Sequence, residues 1–418
     1  MKHKIVSFTL TFLFAVACCA NAVVVEKTNC EDVILPITSR SFLIGVTPTF
    51  KLNGTLEEVY GTAGSVADVM NLWFANVPWY NMTEHLKKPE TQGLLGLINS
   101  SGLTPIFQLN FWTVKEGKVI LQVPPYMNIS TTNLGTPELR QLWIEQAVNI
   151  SRDYHPKYIC IGNEIDTYYW NCSRGDFDNY VSLVKETYDS IKAASAYTKV
   201  FIVFRLDTID SYDGWFLIQK FDKEKIDLFG FTSYPYMLGY SGAAWYEKPS
   251  DMPLDYYTRI MNYTGDKPLV FSEIGWTSSE LLRGGSEHEQ AEFLLWFLEH
   301  TRNMPLEIVS WLCLHDLRTV EEETDPNALP NDFAGLRYKN GTEKEIWVYW
   351  QALYALPCTI PEFPAVCLIL SLFVPVTAVI LLHEMLTKHS RKRQTMAKSF
   401  SLPAAFVSST LHIRQTFC

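Results

Sequence analysis

Tyr158-Ile159-Cys160-Ile161-Gly162-Asn163-Glu164 is a short apolar, partly β-branched run that closes on a glutamate. Further along, Pro268-Leu269-Val270-Phe271-Ser272-Glu273-Ile274-Gly275-Trp276 repeats the pattern. Runs of this length and composition, apolar on both faces, read as strands of a parallel sheet covered on two sides. A carboxylate at the end of such a strand is costly to bury unless the surrounding site uses its charge.

Working outward, eight runs of this kind recur, at residues 42–46, 69–77, 104–110, 158–163, 199–206, 228–233, 269–273 and 308–314. Between them lie stretches with helical spacing, among them 136–152, 177–196 and 286–303, the last opening with a possible capping box, Ser286-x-x-Glu289. Eight strand–helix units in one body predict an α/β fold, a single (β/α)8 TIM barrel. A doubly wound open sheet is the alternative. It would usually carry a Gly-rich phosphate turn after the first strand, and Gly45-Val46-Thr47-Pro48 is not one.

Both chain ends read as addresses. Lys2 and Lys4, the apolar run from Ile5 to Ala17 and Ala20-Asn21-Ala22 predict a signal peptide over 1–22. The uncharged apolar run 363–382 predicts one transmembrane helix over 363–383, and Lys388, Arg391, Lys392 and Arg393 behind it place the tail, 384–418, in the cytosol. The expected body, 23–360, then faces the outside or the lumen of the secretory pathway. Eight Asn-x-Ser/Thr sequons, at Asn53, Asn81, Asn99, Asn128, Asn149, Asn171, Asn262 and Asn340, all precede the span and agree with that side.

Charge narrows the partners. Between the signal and the span, 27 basic residues face 44 acidic ones, a net −17. A body this acidic offers no basic footprint for nucleic acid or other polyanions. Five cysteines remain in it, Cys30, Cys160, Cys172, Cys313 and Cys358, and a Cys30–Cys358 bridge is the pairing expected from their places near its two ends. No zinc spacing occurs, His288-Glu289 lacks the second histidine of a zinc helix, and neither metal nor cofactor is expected. The sequence assigns no oligomeric state.

In a barrel the active site lies at the C-terminal strand ends, where Glu164 and Glu273 close the fourth and seventh runs. Two facing carboxyls are the constellation of glycosidic bond cleavage, one protonating the leaving oxygen and the other attacking the anomeric carbon. Asn163-Glu164 and Glu273 at those strands resemble the clan A glycoside hydrolases. Gly162-Asn163-Glu164, Ser233-Tyr234-Pro235-Tyr236, Ser272-Glu273-Ile274-Gly275-Trp276-Thr277-Ser278 and Phe333-Ala334-Gly335-Leu336-Arg337-Tyr338 resemble family 17, the β-1,3-glucanase group. Ile161-Gly162-Asn163-Glu164-Ile165 is also similar to family 53, the β-1,4-galactanases. The first strand, ending Gly45-Val46-Thr47-Pro48, departs from the family 17 pattern.

The resemblance implies Glu164 as general acid/base and Glu273 as nucleophile, without a cofactor. It implies Asn163 on the sugar 2-hydroxyl and one of Tyr234 or Tyr236, with Tyr234 preferred, donating to Glu273. The chemistry requires opposed carboxyls, Glu164 raised and Glu273 depressed in pKa. Sugar rings present apolar faces, so aromatic platforms are expected. Trp73, Trp79, Trp112, Trp170, Trp276 and Trp311 lie in or after strand runs. Trp276 and Trp311 are preferred as platforms because the resemblance places aromatics after the seventh and eighth strands; for Trp73 and Trp112 a core or rim place is at least as good. Asn110 and Arg205 also end apolar runs and could reach hydroxyls, while Arg205 could equally pair with Asp207 or Asp166 in a structural network. The expected activity is a retaining β-glycanase on neutral extracellular polysaccharide, tethered to the membrane. Transglycosylation on the same residues and a non-catalytic glycan receptor are the alternatives.

Overall fold

The computed structural model describes residues 33–74, 76–237, 246–281 and 285–359. In chain order the strands are β1 (Leu43–Val46), β2 (Val69–Leu72), β3 (Thr104–Gln108), β4 (Trp112–Lys115), β5 (Lys118–Leu121), β6 (Tyr158–Cys160), β7 (Lys199–Arg205), β8 (Leu228–Ser233), β9 (Leu269–Ile274), β10 (Leu306–Trp311), β11 (Cys313–His315) and β12 (Gly335–Arg337). Eight of them close a parallel barrel in the order β1-β10-β9-β8-β7-β6-β3-β2. That is the (β/α)8 arrangement the runs predicted, and every predicted run overlaps a barrel strand.

Boundaries moved for local reasons. The run 69–77 is a strand only to Leu72, and 308–314 splits into the end of β10 and the short β11. The helix Arg174–Ala194 begins earlier than its apolar periodicity because the Ser173 hydroxyl accepts from the Asp176 backbone at 3.1 Å. The helix Glu287–Thr301 starts at the expected cap, where the Ser286 hydroxyl accepts from the Glu289 backbone at 3.1 Å. The β4–β5 hairpin was not anticipated; its Glu116-Gly117 turn places both residues at positive φ, 51° and 74°.

Period-two alternation sorts each barrel strand into an interior and a helix-facing set. Val69, Ile106, Tyr158, Cys160, Phe201, Val203, Leu228, Val270 and Ile308 form the apolar filling of the barrel. Their neighbours Val200, Ile202, Phe204, Phe229, Phe231, Leu269, Phe271 and Val309 belong to the larger core under the helices. Continuing the interior parity toward the C-terminal ends reaches Asn71, Gln108, Arg205 and Thr232, all buried and all polar. The barrel is thus apolar at its centre and polar at one mouth.

Beside that mouth β11 and β12 pair, and their loop is held by a fully buried ion pair. The Lys344 ammonium donates to Asp316 Oδ1 at 2.6 Å, to Ser278 Oγ at 2.7 Å and to the Phe333 carbonyl at 3.1 Å. Burial pushes the Asp316 carboxyl up to about 6, against the lowering influence of Lys344. Lys344→Met leaves that carboxylate buried without its counter-charge, and about 3–5 kcal/mol of stability should be lost in urea unfolding at pH 8. Removing the ammonium raises the carboxyl further, so the deficit should shrink as pH falls and Asp316 becomes neutral.

Among the described residues no helix is long and apolar enough to cross a membrane. The expected signal peptide, the span 363–383, the tail and Cys30 of the expected disulfide lie outside the described residues. Seven of the eight sequon asparagines are exposed and Asn149 is half-buried.

Candidate active site

Glu164 follows β6 through a tightly packed turn. A Cβ at Gly162 would come within 2.0 Å of the Tyr180 hydroxyl oxygen, which donates to the Ile161 carbonyl at 2.8 Å, so only glycine fits. Glu164 itself takes the left-handed conformation at φ 45°, ψ 50°, a strained place for a side chain with a Cβ. The strain turns its carboxylate into the mouth, where Thr232 Oγ1 donates to Oε1 at 2.8 Å.

Glu273 reaches the same mouth by a break in the sheet. Phe231 and Thr232 of β8 pair with Phe271 and Glu273, while Val309 and Trp311 of β10 pair with Phe271 and Ile274. Both neighbours count one residue fewer than β9, so Ser272 is a bulge. Without it Glu273 would share the helix-facing parity of Leu269 and Phe271. With it, Glu273 stands opposite Thr232, and Ile274 takes the outward place in the larger core. Asn71, on β2 across the barrel, donates from Nδ2 to the Ser272 carbonyl at 2.8 Å and ties the bulge down. The sequence reading missed Asn71; its signal was a lone amide inside the apolar run that became β2.

The Tyr234 hydroxyl donates to Glu273 Oε2. Tyr234 is positioned in turn by Asp207, which accepts from its backbone at 2.9 Å and from the Tyr256 hydroxyl at 2.8 Å. Tyr236 faces elsewhere, bonding Asn331 through its hydroxyl, so the preference for Tyr234 over Tyr236 is the one the geometry favours. Burial and then the Glu164 charge push the Glu273 carboxyl up to about 7, against the Tyr234 hydrogen bond and the Arg205 charge. This corrects the expectation of a depressed Glu273, because the cost of desolvation beside a second carboxylate exceeds what two favourable partners return. The acid limb of kcat/KM should therefore fall near pH 7. Tyr234→Phe removes a stabiliser of the charged form and should move that limb upward by about one unit, read from a pH–rate profile.

Arg205 closes β7 and is only 5% exposed. Its Nε lies 3.8 Å from Asp207 Oδ2, and its guanidinium stands 5.9 Å from the Tyr234 ring centre. It is therefore part of the network that orients Tyr234, and it also lines the cavity beside Glu164. Asp166 is fully buried behind it, accepting from the Arg205 backbone at 2.8 Å, and burial with the Glu164 charge pushes its carboxyl up to about 8. Asn163 is half-buried, its Oδ1 has no partner among the described residues, and Trp112 Nε1 donates to its carbonyl at 2.9 Å. Asn110 holds that segment as well, donating to the Trp112 carbonyl at 3.1 Å.

Trp276 and Trp311 are corrected. Both are 0% exposed. Trp311 has the parity of Val309 and packs on Phe293 and Trp350; Trp276 follows the outward Ile274 and packs on Phe293 and Tyr236. The bulge carries Trp276 outward behind Ile274, and the regular alternation of β10 carries Trp311 outward with Val309, so both are turned away from the mouth. Trp73, just past the end of β2, is 66% exposed, and Trp112 and Trp170 line a cavity of about 550 Å³ that also touches Glu164, Arg205 and Thr208. No cluster of three or more metal-ligating side chains occurs among the described residues.

No family model matches the chain, and no curated protein does. Solved structures are similar in fold. An exo-β-1,4-mannosidase from Opitutaceae bacterium strain TAV5 aligns at 14% identity with a TM-score of 0.57, over 76% of this chain and 59% of that one, so the chain spans less than two thirds of that protein. A GH5_18 protein from Streptomyces cattleya in complex with GlcNAc aligns at 12% identity with a TM-score of 0.54, over 78% and 83%. A fungal β-1,4-galactanase aligns at 11% identity with a TM-score of 0.51, over 75% and 99%. At such identities the likeness is one of fold, and it does not single out the β-1,3-glucanase family.

Proposed function

We propose that the chain is a retaining β-glycoside hydrolase acting on a neutral glycan or glycoside by double displacement. The observation that carries this reading is the convergence of Glu164 and Glu273 at one polar mouth, each reached through a local departure from regular structure. Glu164 is the general acid/base, on the strand end and with a single hydroxyl donor. Glu273 is the nucleophile, oriented by Tyr234 and opposed in charge by Arg205. In the first step Glu273 attacks the anomeric carbon while Glu164 gives its proton to the departing oxygen. In the second, Glu164 takes a proton from water as it displaces the glutamyl ester. Asn163, the residue before Glu164, is the proposed partner of the sugar 2-hydroxyl, and Arg205 contributes a donor at the cavity wall.

The similarity in fold to a mannosidase, to a β-1,4-galactanase and to a barrel solved with bound GlcNAc supports a carbohydrate substrate. Among linkages, the motifs favour β-1,3-glucan and then β-1,4-galactan. The sequence ends support a body that acts outside the cell or in the secretory lumen, held by a C-terminal membrane helix. Transglycosylation uses the same residues, with a sugar in place of water. The test is proton NMR of the first product released from a panel of β-glycosides. Release of the β-anomer supports the reading, whereas initial α-anomer or inactivity across the panel overturns it.

A further inference from the structure

The cavity of about 550 Å³ at the mouth touches Glu164 and does not touch Glu273. Resting on the proposed double displacement, this asymmetry assigns its contents: the acid stands beside the leaving oxygen and the nucleophile beyond the anomeric carbon, so space bordered by the acid alone holds the leaving group. Its volume lies within the ordinary range for small-molecule sites, about 300–1,000 Å³.

One wall of it is the β4–β5 hairpin. The register pairs Trp112 with Leu121 and Val114 with Val119, and alternation places these four side chains on one face. That face carries no charged or hydroxyl side chain. Leu121 is buried, whereas Val114 remains 52% exposed and Trp112 and Val119 are half-buried, so an apolar surface stands uncovered beside the acid. The hairpin is fixed there by the Trp112 Nε1 bond to the Asn163 carbonyl. Polar side chains also line the cavity, Lys118 at the hairpin turn and Thr167, Asn171, Arg205 and Thr208 away from the apolar face.

We infer that this is a leaving-group site whose occupant has an apolar, aryl or alkyl body rather than a second sugar ring. A pyranose can lay one apolar face on Trp112, but the hydroxyls around its edge that turn to Val114 and Val119 would lose their hydrogen bonds to water without replacement. An apolar body loses none and gains by covering Trp112, Val114 and Val119. The substrate class is thus a β-glycoside of an apolar alcohol or phenol, with the polar edge of the aglycone toward Arg205.

The test uses the full chain trapped as a 2-fluoroglycosyl ester with whichever of the 2,4-dinitrophenyl 2-deoxy-2-fluoro-β-glucoside, -galactoside or -mannoside labels it. After removal of excess reagent, recovery of activity is followed in buffer, with benzyl alcohol and with glucose at equal concentration. In the productive step the acceptor oxygen bonds the anomeric carbon, the ester to Glu273 breaks, and the hydroxyl proton passes to Glu164. Benzyl alcohol should speed recovery about tenfold over buffer and glucose should have little effect, and Val119→Asp should remove the benzyl alcohol effect. A label with equal or greater acceleration by glucose, or an effect that survives Val119→Asp, overturns the leaving-group assignment alone. Absence of any label overturns the double displacement beneath it.

Discussion

Glu273→Gln is expected to lower kcat/KM by about 10⁴-fold or more, the scale on which loss of a covalent nucleophile acts. The amide keeps the shape and the Tyr234 contact but cannot form the ester. Wild-type Glu273 is held at about pH 7 by burial and by the Glu164 charge, well above an ordinary carboxyl. Its ionised form is therefore favoured less in the folded than in the unfolded chain, and the cost to stability accrues as pH rises from the unfolded carboxyl range to about 7 and is full above that. Glu273→Gln should accordingly be more stable than wild type at pH 8, with the difference vanishing at pH 4, where both side chains are neutral. Loss of activity combined with a gain in urea midpoint at pH 8 distinguishes a functional carboxylate from a structural one. Glu164→Gln should behave differently. Substrates with poor leaving groups should lose about 10²–10⁴-fold, and dinitrophenyl glycosides, which leave without protonation, far less.

Deletion of Ser272 should be nearly as damaging as loss of the glutamate. The bulge is one residue long, and removing it restores regular pairing with β8 and β10. Glu273 then takes the outward parity of Phe271, under the helices, while Ile274 turns into the mouth. Activity should fall by about 10⁴-fold, the size of the nucleophile's own contribution. Burying the carboxylate in the outer core adds a stability cost that should appear as a lowered urea midpoint. Restoring a residue by inserting alanine should recover most of both, because the count of residues sets the parity.

The barrel was legible because its strands are buried on both faces and so appear as unbroken apolar runs, each closed by turn residues. Glu164 and Glu273 were legible for the same reason, as carboxylates ending such runs. What could not be read was which face each residue takes. Leu269-Val270-Phe271-Ser272-Glu273-Ile274 carries no mark of an extra residue, since a bulge is defined by its neighbours' pairing and not by its own composition. From that gap came the misplacing of Trp276 as a platform, whereas Trp311 faces outward by the regular alternation of β10, which its run, buried on both faces, does not reveal; Asn71 was passed over because the carbonyl it holds belongs to the bulge. Trp112 was hard to place because the hairpin that carries it, Trp112–Lys115 with Lys118–Leu121, is too short to show a pattern of its own. The Glu273 pKa was misjudged because hydrogen-bond donors can be inferred from motif, whereas the depth of burial cannot.

The account stands most directly on the identity of the residue that bonds the sugar. Peptide mapping by mass spectrometry of the protein inactivated with a 2-fluoroglycoside is the measurement that decides it. One fluoroglycosyl group on the peptide containing Glu273, absent in Glu273→Gln, is the result expected. A label on any other residue, or inactivation that persists in Glu273→Gln, would contradict it.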